Sequence, residues 1–225
     1  MLTYAQKSDQ GRIRELNEDA MLIVDPGNEK LGALFVVADG LGGMPHGELA
    51  SDRAVNEMQR IFSAQNEFVD ASFLRDWIQA VNTKIYNVNK YLDPNDRMAT
   101  TLTCAHFYKK MLIIGHVGDS RAYQIRDGKL KQLTTDHAKS RNELTRVVGV
   151  EHTVGIDLYQ IPIEIGDYYI QCTDGLYAAV SERDIVDAVL YHSLSVACDK
   201  LIVKANENGG QDNSTIQIIQ IEKDP

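Results

Sequence analysis

Two pairs of amphipathic segments divide this chain into separate blocks of strand-forming sequence, and that order excludes a strictly alternating parallel βαβ sheet. From Gly47 to Ala64 the apolar residues Ala50, Ala54, Met58, Ile61 and Phe62 recur at three- and four-residue steps. Leu74, Trp77, Ile78, Val81, Ile85, Val88 and Leu92 repeat the pattern. Asp93-Pro94-Asn95 ends it, because proline lacks an amide hydrogen and restrains the residue before it. Further on, Ser181 with Asp184 resembles a capping box opening a helix through Leu190, and Leu194, Ala197, Cys198, Leu201 and Ile202 predict one more.

The strand blocks are bounded by turn residues. Asp19 to Asp25 and Leu31 to Asp39 flank Pro26-Gly27-Asn28 and predict a β-hairpin whose second strand is fully buried. Thr100 to Phe107, Met111 to Val117 and Arg121 to Ile125 are broken by Lys109-Lys110, Gly118-Asp119 and Arg126-Asp127-Gly128, which predicts an antiparallel meander. After a loop from Thr134 to Glu151, Leu158 to Ile165 and Tyr168 to Thr173 predict another hairpin about Gly166-Asp167. Ser214 to Ile221 is the last strand. The expected class is α+β, an antiparallel sandwich forming one domain over residues 1–225, with no repeat or linker to divide it.

Composition narrows the partners. The 225 residues are 44% hydrophobic and 24% charged, enough for one core. The 32 acidic residues outnumber 23 Lys and Arg, for a net charge of −9, and the basic residues are scattered, which argues against nucleic acid. The acidic surplus is either solubilising surface or carboxylate reserved for hard cations. Cys104, Cys172 and Cys198 form no C-x-x-C pair and are odd in number, so neither a disulfide framework nor a structural zinc site is expected. Met1 to Gln10 shows no leader pattern, and no apolar run approaches the ~18 residues of a membrane span. A cytoplasmic monomer without a membrane anchor is expected.

Four aspartates stand at strand ends: Asp39, Asp119, Asp174 and Asp212. Singly, Asp39-Gly40 and Asp174-Gly175 read as ordinary turns. Together they carry more, because strand ends of a closed sandwich can converge on one cleft, where several carboxylates repel unless cations neutralise them. Oxygen donors without Cys or His partners favour Mg²⁺ or Mn²⁺ over zinc. Gly40 lets backbone approach a cation and offer its carbonyl. Upstream, Arg14 can present a planar, permanently charged fork to a phosphate dianion, or it can form a surface ion pair with Glu18 or Asp19.

Five strings in order, Arg14-x-x-Asn17-Glu18-Asp19, Ala38-Asp39-Gly40-Leu41-Gly42-Gly43 with Gly47-Glu48, Val117-Gly118-Asp119-Ser120-Arg121, Thr173-Asp174-Gly175-Leu176 and Gln211-Asp212-Asn213-Ser214, span nearly the whole chain. In these the sequence resembles the bacterial type-2C (PPM) family of metal-dependent serine/threonine protein phosphatases. The resemblance implies a four-layer α-β-β-α sandwich with a binuclear Mn²⁺ or Mg²⁺ centre at one end. It implies that Asp39 bridges both ions, that Asp174 and Asp212 complete the first shell, and that the Gly40 carbonyl serves the second ion. Glu18 and Asp19 would act through coordinated water, Asp119 with Asp174 would hold a third, weaker ion, and Arg14 would bind the substrate phosphate. Asn213 and Ser214 are expected to support these groups, not to ligate. A water bridging two cations would attack phosphorus, so Cys104 and Cys172 are expected to serve packing alone.

Two departures bear on the chemistry. Some members carry a histidine directly after the Asp-Gly pair, proposed as general acid, where this chain has Leu41; His46, five residues on, could be recruited in its place, but a metal-bound water is the expected acid. Many bacterial relatives also place a mobile flap between an Asp-His-Ser string and an Arg-Asn-x-Leu-Thr-Arg string. Here Thr135-Asp136-His137-Ala138 runs almost directly into Arg141-Asn142-Glu143-Leu144-Thr145-Arg146, so the flap is expected to be missing. His137 and Lys139 could contact substrate, but the expected reading is that of solvated loop residues. Expected partners are phosphorylated proteins, opposed by a Ser/Thr kinase, with forkhead-associated domain proteins among them. Alternatives are a small phosphate-ester hydrolase or a catalytically idle binding module on the same fold.

Overall fold

A computed structural model describes residues 2–27, 30–42, 46–67, 70–140 and 143–222. Asn28, Gly43, Arg141 and Asn142 of the strings above lie outside the described residues. The chain opens with β1 (Leu2–Asp9), β2 (Asp19–Val24) and β3 (Ala33–Asp39), followed by helices α1 (Gly47–Ser63) and α2 (Ser72–Asn89). Then come β4 (Leu102–Tyr108), β5 (Met111–Val117), β6 (Arg121–Arg126), β7 (Lys129–Gln132), and a short ribbon of β8 (Ala138–Ser140) and β9 (Glu143–Leu144). β10 (Asp157–Pro162), β11 (Tyr168–Cys172), a single turn α3 (Asp174–Tyr177), α4 (Glu182–Tyr191), α5 (Leu194–Glu207) and β12 (Ser214–Ile221) complete it. At the start of α4 the Ser181 hydroxyl accepts the Asp184 amide at 3.1 Å, as the capping-box pattern requires.

Two five-stranded antiparallel sheets form, in the orders β1-β12-β11-β6-β7 and β10-β5-β4-β3-β2. The period-two geometry of a strand explains why β3 is apolar throughout: Leu34, Val36 and Ala38 pack into a core with α1 and α2, whereas Ala33 and Phe35 face the other sheet. β12 divides likewise, Ile216 and Ile218 packing with α4 and α5 and Ile219 and Ile221 lying between the sheets. Three apolar layers separated by two sheets make the four-layer α-β-β-α sandwich. Between the sheets Phe107 packs edge-on against Phe35 and Tyr169, with ring centroids 5.5 and 5.4 Å apart.

The connectivity corrects two expectations. β4 and β5 pair as a hairpin, but Gly118-Asp119 then carries the chain across to β6 in the opposite sheet, so the predicted meander is split. The expected hairpin about Gly166-Asp167 is a second crossing, with β10 on β5 and β11 between β6 and β12. β1, which pairs with β12 along its whole length, and β7 were not predicted.

The inter-sheet layer changes character along its length. Beyond the aromatic cluster it becomes polar, with buried Thr101, Thr103, His116, Ser120, Thr173 and Thr215. This end of the sandwich carries the last residue of β3, the exit from β5, the exit from β11 and the entry to β12, and therefore all four strand-end aspartates.

Candidate metal centre

The site is built on a direct cross-strand pair. Asp19 opens β2 and stands opposite Asp39, which closes β3. The Asp39 backbone is fixed on both sides: its amide donates to Thr101 Oγ1 at 2.9 Å, and its carbonyl accepts the Thr101 amide at 2.8 Å and the Thr100 hydroxyl at 2.9 Å. Asp19 is held from the other sheet, where the hydroxyls of Thr173 (2.8 Å) and Thr215 (2.7 Å) both donate to its Oδ2. Its Oδ1 is buried without a hydrogen-bond partner among the described residues.

The electrostatics are those of crowded carboxylates. Burial, followed by the charges of Asp19, Asp174, Asp119 and Asp212, pushes the Asp39 carboxyl well above its ordinary range. Burial raises Asp19 to about 7 against the stabilising Thr215 and Thr173 bonds, with Asp174 and Asp212 adding to the rise. Asp119 is raised to about 6 by burial and then by Asp174 and Asp136. Buried carboxylates that raise one another in this way mark a place where positive charge belongs.

Arg14 provides some of that charge. Its Nη2 donates to Asp212 Oδ2 at 2.8 Å and its Nη1 lies 3.7 Å from Glu18 Oε2, while the side chain stays 35% exposed. The loop carrying it is laced to the entry of β12 by Asn213. That amide donates to the carbonyls of Gln10 (2.8 Å) and Leu16 (2.9 Å) and accepts the Glu18 amide at 2.8 Å. A second arginine, Arg121, is engaged elsewhere: its Nη2 donates to Asp136 Oδ2 at 2.7 Å, and it lies over the Tyr177 ring, 3.7 Å from the centroid.

Gly40 has a packing reason in addition to the one expected. A Cβ there would come within 2.3 Å of the Gly47 carbonyl oxygen and 2.8 Å of the Glu18 carbonyl oxygen, so any side chain would push the first turn of α1 away from the cluster. His46 occupies the N-cap position of α1 with a left-handed φ of 64°. His137 corrects the expectation of a solvated loop residue: it is buried, beside His116, with ring centroids 4.7 Å apart. Lys139 is exposed and pairs with Glu143 at 2.8 Å. The hydroxyls of Thr101, Thr173 and Thr215, which hold Asp39 and Asp19, were not singled out from the sequence. Thr173 and Thr215 stand beside the Asp174 and Asp212 strings, which was the available signal, whereas Thr101 adjoins no aspartate string.

The donor set fits hard cations by its chemistry, all oxygen, with an unsatisfied oxygen on Asp19. Among the described residues no three acidic, His or Cys side chains close about one point as a finished coordination shell.

An α-β-β-α sandwich with carboxylates from both sheets gathered at one end is the architecture of the PPM-type phosphatases. The solved serine/threonine phosphatase Stp1 from Staphylococcus aureus superposes with a TM-score of 0.92 at 30% identity, covering 99% of this chain and 96% of that one. The Mycobacterium tuberculosis serine/threonine phosphatase PstP/Ppp does so with a TM-score of 0.86 at 30% identity, covering 99% of each. Sequence agrees: residues 12–203 match the family model for protein phosphatase 2C, and the chain belongs to that family. The serine/threonine phosphatase stp of Listeria welshimeri is 33% identical over 239 residues, covering 95% of this chain and 94% of that protein. No helix among the described residues is long and apolar enough to cross a membrane.

Proposed function

We propose that this chain hydrolyses phosphoserine and phosphothreonine in proteins at the carboxylate cluster around Asp39, with Mn²⁺ or Mg²⁺ bound there. The observation that supports this most is the setting of Asp39 among Asp19, Asp119, Asp174 and Asp212, four carboxylates drawn from both sheets whose charges raise its pKa. Asp39, Asp174, Asp212 and the Gly40 carbonyl would hold two ions, Asp119 with Asp174 a third, and Glu18 and Asp19 would act through coordinated water. Bound in this position, the ions would supply Lewis acidity and generate the attacking nucleophile from water near neutral pH.

The protein's own groups orient and neutralise. Thr101 fixes Asp39, and Thr173 and Thr215 lock one Asp19 oxygen while leaving the other available. Arg14, partly exposed at the mouth, exchanges its Asp212 partner for the substrate phosphate, whose dianion matches its fork. No protein nucleophile is called for: the three cysteines are buried, and burial pushes Cys172 and Cys198 up to about 12, far from the thiolate form.

The cleft is expected to be open on the side of the β8–β9 ribbon. The alignment with the Listeria relative runs over 239 residues against 225 in this chain, so that protein carries residues without a counterpart here. This supports the reading of a missing flap. The whole of 1–225 would act as one catalytic domain and as a monomer in the cytoplasm, opposing a Ser/Thr kinase on shared phosphoprotein substrates.

The test is the initial rate on a phosphothreonine peptide with Mn²⁺, Mg²⁺, Ca²⁺ or EDTA. Turnover that requires Mn²⁺ or Mg²⁺ and stops with EDTA is expected. A folded protein with no turnover under any of these conditions would overturn the proposal in favour of an idle binding module.

A further inference from the structure

His137 and Gly118 exchange two hydrogen bonds across 19 residues of chain. The His137 backbone amide donates to the Gly118 carbonyl at 2.8 Å, and the Gly118 amide donates to His137 Nδ1 at 3.1 Å. Gly118 cannot drift within this clamp. Its φ of +109° lies in the region that favours glycine, and a Cβ there would meet Thr101 Cβ at 2.6 Å. The next residue is Asp119.

The imidazole is itself fixed from behind. An Nδ1 that accepts a hydrogen bond carries no proton, so in the neutral ring Nε2 carries it and donates to Asp157 Oδ2 at 3.2 Å, and the Arg146 Nη1 that lies 3.1 Å from Nε2 is then a close neighbour and not a hydrogen-bond partner. Asp157 is held in turn by Arg146, whose Nη1 donates to Oδ1 at 2.7 Å. Arg146, Asp157, His137, Gly118 and Asp119 thus form a continuous chain from the strand β10 and the β8–β9 ribbon to a carboxylate of the cluster. Thr145 completes the attachment of the ribbon, its amide donating to the His137 carbonyl at 2.7 Å.

We propose that His137 is a positioning residue for Asp119: its Nδ1 holds the Gly118 amide and so fixes the turn from which the Asp119 carboxylate is presented to the weakest-bound cation. This rests on the reading of Asp119 as a cation ligand given above. Groups that orient a ligand from behind typically change metal affinity by about 10- to 100-fold when removed.

The two side-chain amides separate the two ring nitrogens. Asparagine places an oxygen where Nδ1 stands, whereas glutamine places its oxygen towards the Nε2 position. Metal-free wild type, D119N, H137N, H137Q and H137L are titrated with Mn²⁺ by calorimetry, and the exchange of the Gly118 amide is followed by NMR. D119N is expected to abolish the weakest class of Mn²⁺ binding and leave the tighter ones. H137N keeps the Gly118 amide protected and holds the weak class within about twofold, while H137Q and H137L lose the protection and weaken that class roughly tenfold or more, the tighter classes staying put. If H137L fails to fold, the asparagine and glutamine pair decides. Wild-type affinity at the weak class in H137Q, or an H137N as defective as H137Q, would overturn the positioning role while leaving Asp119 a ligand. An unchanged titration in D119N would instead remove the reading of Asp119, and the role of His137 with it.

Discussion

Arg14 and Asp212 lie 198 residues apart in sequence and 2.8 Å apart in space, a guanidinium resting on a carboxylate at the edge of the cluster. The pair has two consequences for binding. On the proposed reading, Arg14 balances the Asp212 charge until a cation binds and is held where an arriving phosphate would find it. Replacing Arg14 by alanine removes charge-assisted hydrogen bonds worth about 1.5–3 kcal/mol, so kcat/KM on a phosphothreonine peptide should fall about 10- to 100-fold, chiefly through KM. Arg14→Lys should recover part of the loss, since it keeps the charge without the fork. Steady-state kinetics at saturating Mn²⁺ decide the matter, and an unchanged kcat/KM in the alanine variant would remove Arg14 from substrate binding.

Asp39→Asn should separate activity from stability. Losing the central carboxylate costs several kcal/mol of transition-state stabilisation, about a thousandfold in rate. In EDTA the same change relieves repulsion from Asp19, Asp119, Asp174 and Asp212, so thermal unfolding should move up by a few degrees. A variant that loses both activity and metal-free stability would contradict this arrangement.

Two histidines set an acid limit on stability. His106 and His116 are buried, and burial depresses both to about 4 from an ordinary 6.5, with the neighbouring His137 adding to the effect at His116. Between those values the unfolded chain takes up protons that the folded chain refuses, so stability falls as pH drops through the window. Each histidine should cost roughly 2 kcal/mol at about pH 5 relative to about pH 7.5. Urea unfolding of wild type and His106→Gln at both pH values, with Mn²⁺ saturating, isolates one histidine and cancels the other titrating groups. An equal pH dependence in the two proteins would show that His106 is not depressed.

The short β8–β9 ribbon carries a prediction about selectivity. If that side lacks a wall, as proposed above, few contacts remain to distinguish the residues around a phosphosite. Rates on a set of phosphothreonine peptides with varied flanking sequence should therefore agree within about an order of magnitude. Discrimination of about a hundredfold or more would mean that another surface reads the peptide.

Much of this was legible in the sequence because the signals were periodic or chemically specific. The apolar repeats of α1, α2 and α5, the capping residue Ser181 and the run Ser214 to Ile221 each impose a local structure that the fold keeps. The aspartates were legible because turn residues placed each of them at a strand end. The crossings at Gly118-Asp119 and Gly166-Asp167 were not, since a turn signal says where a chain bends and not which of two sheets it enters. β1 was missed because it is a sheet edge: Ala5 packs inward, Gln6 is exposed, and Tyr4 stays 39% exposed although it packs edge-on against Phe35, a pattern too weak to stand out. His137 read as a loop residue because nothing in its neighbours announces the Gly118 amide that buries it.

The pairing of β1 with β12 also determines when the enzyme can first exist. Asp212 and Asn213 enter the cluster only with the last strand, and Asn213 is what laces the Arg14 loop in place. If Asp212 is a cation ligand as proposed, a ribosome that has made Asp19, Asp39, Asp119 and Asp174 has made no working centre. Contacts this distant along the chain are closed late in folding. On that reading the growing polypeptide would meet its substrates without acting on them until β12 has taken its place beside β1.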